Sequence, residues 1–232
     1  MDNLQARRAV REELARGYRV FGALGWGDLG DGHISARDPE RPDCLWMLRY
    51  GATFPEATAG DTVLIDPDGE IARGAGRVNR PGFHIHQPIL AARPDIASAA
   101  HTHTQWGTPF SAEARILEPI TQEACIFFED CALFDDEEVQ VQSLEAGSRI
   151  AQSLGRNASI VLRNHGLLAT GVSVAAAVAR FVLMERAAEA HLKTPAGRPI
   201  TADAARFAKA DLTGEDHLRT TFEFLARHYG VY

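Results

Sequence analysis

Apolar side chains recur along this chain with two different periods, and those periods sort it into helices and strands. Leu14, Tyr18 and Phe21 stand at i, i+4 and i+7 with Arg and Glu on the opposite face, so a surface helix is expected over residues 4–24. Short runs at 33–36, 45–48 and 62–66 read as strands, the last closed by the turn sequence Asp66-Pro67-Asp68-Gly69. Strands this short, joined by turns, predict antiparallel pairing. Segment 83–92 reads as a helix stopped at Arg93-Pro94, with Pro88 losing a backbone bond unless it falls in the first turn. Residues 96–101 read as a buried strand and 105–112 as a short helix. The run SIVLRNHGLLATG at 159–171 reads as two strands around a polar turn. A helix over 174–192 follows, capped by Ser173, with Val174, Ala177, Phe181, Met184 and Ala188 on one face. The last helix, 215–228, aligns Leu218, Phe222 and Leu225.

Five glycines, Gly22, Gly25, Gly27, Gly30 and Gly32, interrupt this pattern around Trp26 and predict turns or a backbone that passes close to something. The 232 residues, 45% apolar, suffice for one sizeable core, so a single domain over 1–232 is expected, with a helical extension from about 196. The 31 acidic against 24 basic residues give a net charge of -7, the wrong sign for gripping nucleic acid through its phosphates. The longest apolar stretch, 173–184, is broken by Arg180 and is shorter than the roughly 20 residues of a membrane span. The N-terminal MDNLQARRAVREEL lacks the apolar core of a secretory signal, so a cytoplasmic location is expected. Cys44, Cys125 and Cys131 form neither a disulfide framework nor zinc-site spacing and read as packed thiols.

The chemistry points to histidine. His101-Thr102-His103 ends a strand, where residues i and i+2 face the same side and can share one ion; by itself the pattern more often marks core imidazoles. His165, in the Arg163-Asn164-His165-Gly166 turn, offers a third imidazole. Three neutral imidazoles leave coordination positions open to substrate.

The strings GHISARDP, VNRPGFHIH, AARPDIASAAHTHT and IVLRNHGLLATG stand in register with the class II aldolase and adducin head-domain superfamily, which the chain resembles over residues 5 to 195. The resemblance implies an α/β fold, a three-layer α/β/α sandwich with a mainly antiparallel central sheet. It implies a homotetramer with active sites at subunit interfaces, acting on a small-molecule substrate. It also implies one divalent metal ion on His101, His103 and His165, with zinc the first expectation and manganese or iron the alternatives.

The sequence departs from the sugar-phosphate aldolases where it matters. Their acid/base glutamate lies 19 residues before the first ligand histidine, and Gly82 stands there in this chain. The places matched to their phosphate cradle, Asp68-Gly69 and Arg80-Pro81, put an aspartate where a phosphate would sit, which argues against a phosphorylated ketose. His86, four residues after Gly82 on the same helix face, is the acid/base candidate, whereas His84 points the other way. Arg80 is expected to hold a substrate carboxylate and His33 to contact substrate. Gln122 falls near a tyrosine that aldolases supply from a neighbouring subunit, and the acidic run Glu129, Asp130 and Asp135 to Glu138 reads as a solvated loop. The expected activity is a metal-dependent carbon–carbon lyase, by aldol cleavage or decarboxylation, on a non-phosphorylated hydroxy-carbonyl or hydroxy-carboxylate compound such as a hydroxylated aromatic acid. A non-haem iron oxygenase and a non-catalytic adducin-like scaffold are the alternatives.

Overall fold

A computed structural model describes residues 3–232; Met1 and Asp2, part of the expected 1–232 domain, lie outside the described residues. The chain opens with α1 (Asn3–Ala23), which buries Leu14, Tyr18 and Phe21 as their spacing predicts. After the glycine-rich loop come β1 (His33–Arg37), β2 (Leu45–Leu48), β3 (Thr62–Ile65) and β4 (Ile71–Arg73). Next are α2 (Arg80–Ala92), β5 (Ser98–Thr102), α3 (Gly107–Ser111), β6 (Cys131–Phe134) and α4 (Leu144–Leu154). The hairpin β7 (Ser159–Leu162) and β8 (Gly166–Gly171) leads into α5 (Val174–Lys193), α6 (Ala202–Leu212) and α7 (Glu215–His228).

The strands form one sheet in the order β4-β3-β2-β1-β5-β8-β7-β6. Every neighbouring pair is antiparallel except β6 with β7. Strand alternation divides the core in two. Ile34, Ala36, Trp46, Ala100, Leu167 and Ala169 face α1, α5 and α7, whereas Met47, Val63, Ile65, Ile160 and Leu168 face α2 and α4. This is the expected three-layer sandwich. Tyr18 ties the layers together: its hydroxyl accepts from Ile34 N at 2.7 Å and donates to Ile34 O at 2.8 Å, fixing α1 against the strand that carries His33.

Several elements differ from expectation for local reasons. α2 begins three residues early because Asn79 caps it, accepting from Gly82 N at 3.1 Å, and Pro81 fits the first turn. Pro88 sits in the helix interior, not in its first turn, and its missing N–H frees the carbonyl of His84. Gly147 of α4 packs against that carbonyl so closely that a Cβ there would stand 1.8 Å from the oxygen. β4 is three residues long and largely exposed, and α6 buries only Ala205, so neither carries a clear hydrophobic period. α4 and β6 also lay outside the expected set, although Ser143 caps α4 by accepting from Ala146 N at 3.1 Å. Among the described residues no helix is long and apolar enough to cross a membrane.

Candidate metal centre

Strand register brings the histidines together. In the β1–β5 pair His33 lies opposite His101, and because Ile34 and Ala100 face α5, both rings face α2. His103 follows just past the end of β5. In the β5–β8 pair Thr102 lies opposite Leu167, which places the β7–β8 turn, and with it His165, beside that end. Asn164 adopts a left-handed φ of 57° in this turn, and His165 N donates to Leu162 O at 3.0 Å. Ring centroids of His101, His103 and His165 lie 4.8–5.4 Å apart, and one ligating atom from each lies within 4.8 Å of the others.

This donor set fits a divalent ion. His101 Nδ1 donates to Leu167 O at 2.7 Å, which fixes the tautomer and leaves Nε2 as the ligating nitrogen. His103 Nδ1 lies 3.4 Å from Asp31 Oδ2, the carboxylate–imidazole arrangement that orients a metal ligand. The other oxygen, Asp31 Oδ1, is buried without a protein partner. Burial, reinforced by the neighbouring imidazoles, holds His101 well below the usual histidine range and lowers His165 to about 4, so both present neutral nitrogen. The loop beyond His103 is anchored from α5 by Glu185, which accepts from Thr104 Oγ1 at 2.6 Å, Gly107 N at 2.7 Å and Trp106 N at 2.9 Å.

The place expected to lack a side chain is filled by another. A Cβ at Gly82 would stand 2.7 Å from Cγ of His33 and 2.8 Å from Cε of Met47, so the His33 ring occupies the space that a residue-82 side chain would need. His33 Nδ1 pairs with His86 Nε2 at 2.7 Å, and His86 Nδ1 pairs with Ser35 Oγ at 2.6 Å. His86, expected to act on substrate, therefore does not line the cavity. It is fully buried, both ring nitrogens are engaged, and burial, then the field of His101, lowers its pKa to about 3. His33 is the ring that lines the cavity, and His86 with Ser35 supports it from behind. Ser35 was findable from the sequence, since it shares a strand face with His33; Asp31 and Glu185 carried no signal beyond a glycine-rich loop and an amphipathic helix.

The histidines open onto a cavity of about 700 Å³ whose remaining wall includes Tyr50, Arg77, Val78, Ile85 and Val141. Arg80 lines it too, but its side chain is 51% exposed and donates to Glu70 Oε1 at 3.1 Å, so that a substrate carboxylate must compete for it. Arg77 stacks over Tyr50, 5.0 Å from the ring centroid, with no carboxylate partner among the described residues. The Asp68-Gly69 turn is not part of the cavity wall but packs against Arg80, which is. Gln122 lines a separate hollow with Phe207 and Leu212. The acidic run is more than a solvated loop: Arg163 pairs with Asp135 and Glu137, and Arg149 with Asp136 and Glu138. All three cysteines are free and buried, as expected.

The class II aldolase and adducin N-terminal domain family matches residues 12–192 of the chain. A 4-hydroxy-3-prenylphenylpyruvate oxygenase/4-hydroxy-3-prenylbenzoate synthase from Streptomyces roseochromogenus subsp. oscitans is 39% identical over 85% of this chain and 71% of its own. Decarboxylase NovR from Streptomyces niveus is 39% identical over 84% of this chain and 74% of its own. Among solved structures, an L-fuculose 1-phosphate aldolase from Glaciozyma antarctica PI12 superimposes with a TM-score of 0.89 at 30% identity, covering 99% of this chain and 93% of that one.

Proposed function

Because the chain belongs to the class II aldolase and adducin N-terminal domain family, we propose that it is a metal-dependent carbon–carbon lyase acting on a small non-phosphorylated hydroxy-carboxylate, with decarboxylation of a hydroxylated aromatic acid ahead of aldol cleavage. The observation that carries this reading is the three-histidine cluster at the wall of a large, mostly apolar cavity with two arginines at its edge. The decarboxylase named among its relatives supports the same reaction type.

His101, His103 and His165 would hold the ion, zinc first, with manganese or iron as alternatives. Lewis-acid stabilisation of the negative charge that develops as the carbon–carbon bond breaks is the chemistry such an ion supplies when bound. The chain's own residues do the rest. Arg80 and Arg77 orient the carboxylate, and Tyr50, Val78 and Ile85 exclude water around an aromatic ring. His33, whose Nδ1 is tied to His86, presents Nε2 to the cavity, where it would take the proton of the substrate hydroxyl and return it to the carbon that loses carbon dioxide. His86 and Ser35 hold that ring in place. We take residues 1–232 as one domain, with the helices beyond about 196 as an extension, in a cytoplasmic homotetramer.

The test is anaerobic assay of the metal-loaded protein against a panel of hydroxy acids and hydroxy-carbonyl compounds, with carbon dioxide and aldehyde release measured separately. Carbon dioxide from a hydroxylated aromatic acid is the expected result. Release of neither product from any compound overturns the proposal, and cleavage of L-fuculose 1-phosphate alone would return the protein to the sugar-phosphate aldolases. A second reading, an iron-dependent oxygenase, is favoured by the oxygenase named among the relatives. Oxygen uptake that requires iron(II) would establish it, and full activity without oxygen would exclude it. A protein that purifies without metal and gains no thermal stability from added metal would leave the adducin-like scaffold.

A further inference from the structure

The segments around the metal cavity leave one end of the sheet, and the strand order β2-β1-β5-β8-β7-β6 sets them side by side. Tyr50, just past β2, carries the stacked Arg77 on one flank. His33, His101, His103 and His165 stand in the middle, on β1, β5 and the β7–β8 turn. Residues 135–141, which leave β6 at the sheet edge, form the opposite flank, and Val139, Gln140 and Val141 all line the cavity. The histidines therefore lie between Arg77 and this last segment.

Its acidic residues hold that segment in place. Asp135 and Glu137 pair with Arg163 of the β7–β8 turn, and Asp136 and Glu138 with Arg149 of α4, so alternate acids are drawn to opposite sides. Exposed ion pairs are weak singly, but several along one short segment form a network that fixes its path. Glu138 N donates to Asp136 Oδ1 at 3.1 Å and Val139 N to Glu137 O at 3.0 Å, a tight turn that ends at the cavity. Val141 is buried in the same apolar cluster as Ile85, whereas Val139 is 47% exposed. An apolar side chain pinned at a cavity wall leaves water only when a ligand covers it. At about 700 Å³ the cavity is sized for a ligand larger than a single-ring acid.

We propose that Val139 is a specificity-determining residue, and that the wall it forms with Val141 and Ile85 receives an apolar substituent at the end of the substrate remote from its carboxylate. This rests on the reading given above, in which Arg77 and Arg80 orient that carboxylate.

Calorimetric titration of the metal-loaded protein with 4-hydroxybenzenesulfonate, and separately with its 3-tert-butyl derivative, tests the wall. The sulfonate stands in for the carboxylate and does not leave, so binding is read apart from turnover. The butylated compound is expected to bind roughly tenfold tighter. Val139→Asp is expected to erase that preference and the conservative Val139→Leu to keep it. Val172→Asp, the same change at an exposed valine past the far end of β8, is expected to leave it intact. Equal binding of the two compounds by the unaltered protein, a preference that survives Val139→Asp, or one lost equally in Val172→Asp would each overturn the proposal; binding of neither compound would overturn it together with the carboxylate reading. A preference without turnover of any hydroxy acid overturns the lyase reading alone, and turnover without the preference overturns this inference alone.

Discussion

At one end of the β5–β8 pair His33, His101 and His165 crowd together with their charges suppressed, and at the other a single guanidinium is buried with its charge intact. The two ends are separated by four strand residues, on the order of 13 Å. Each is polar surface that the fold has withdrawn from water, yet they differ in how the protein itself satisfies it. The imidazoles respond to burial by staying neutral, and the backbone, Asp31, His86 and Ser35 fix their orientations. Arg180 has no such escape, because a guanidinium does not deprotonate in this range. A titratable group can wait for a cation at little cost; a permanent charge must be matched.

Removing a ligand gives the sharpest contrast. His101→Ala should lower metal affinity and lyase activity by more than about a hundredfold, beyond the 10–100-fold cost of losing a supporting residue, and leave the surroundings of Arg180 unchanged. Elemental analysis and product assays check the first part and the urea stability of the chelator-treated variant the second. Acid should separate the two ends next. The folded pKa of His86 is lowered to about 3, so the unfolded chain takes up the proton first; its contribution is complete above the unfolded value near 6.5 and is lost as pH falls toward 3. That loss amounts to up to about 4 kcal/mol, and urea unfolding of chelator-treated protein at successive pH values measures it; His86→Gln should remove its share of a slope that His33, His101 and His165 also feed, whereas Arg180→Met should not change it. Crowding the His33 ring is the next effect: Gly82→Ala should destabilise by about 1–3 kcal/mol, and His33→Ala should relieve that penalty in the double variant. Asp31→Asn should weaken metal binding by roughly 10–100-fold with the fold intact, read as metal content after dialysis against a weak chelator. The smallest change is expected from Arg180→Met, which should be neutral or stabilising by about 1–2 kcal/mol in urea unfolding.

The clustering of the three histidines was legible because two stand at i and i+2 at the end of a strand and the third sits in a turn whose polar and glycine residues announce it. The layers and the antiparallel sheet were legible from the same motifs. What surrounds the histidines was not, because it depends on partners far apart in sequence. That His33 rather than His86 faces the cavity follows from the β1–β5 register and from α2 starting at Arg80, and helix-face arithmetic on 83–92 alone cannot distinguish a ring that meets substrate from one packed beneath it. Arg180 was visible as an interruption, but its burial is a property of the layers that close over it. α6 left no pattern to read because it buries so little.

The close fit between the His33 ring and the backbone of Gly82 makes the order of substitution matter along this lineage. A chain that lost the imidazole first would open a void, which a core tolerates at a cost of a few kcal/mol and which a later side chain at residue 82 can fill. A chain that gained the side chain first would begin from a clash, with a Cβ 2.7 Å from a ring already tied on its other side to His86. Exchange between a histidine-bearing and a residue-82-bearing site is therefore accommodated through the void and not through the clash, because the two positions share one volume.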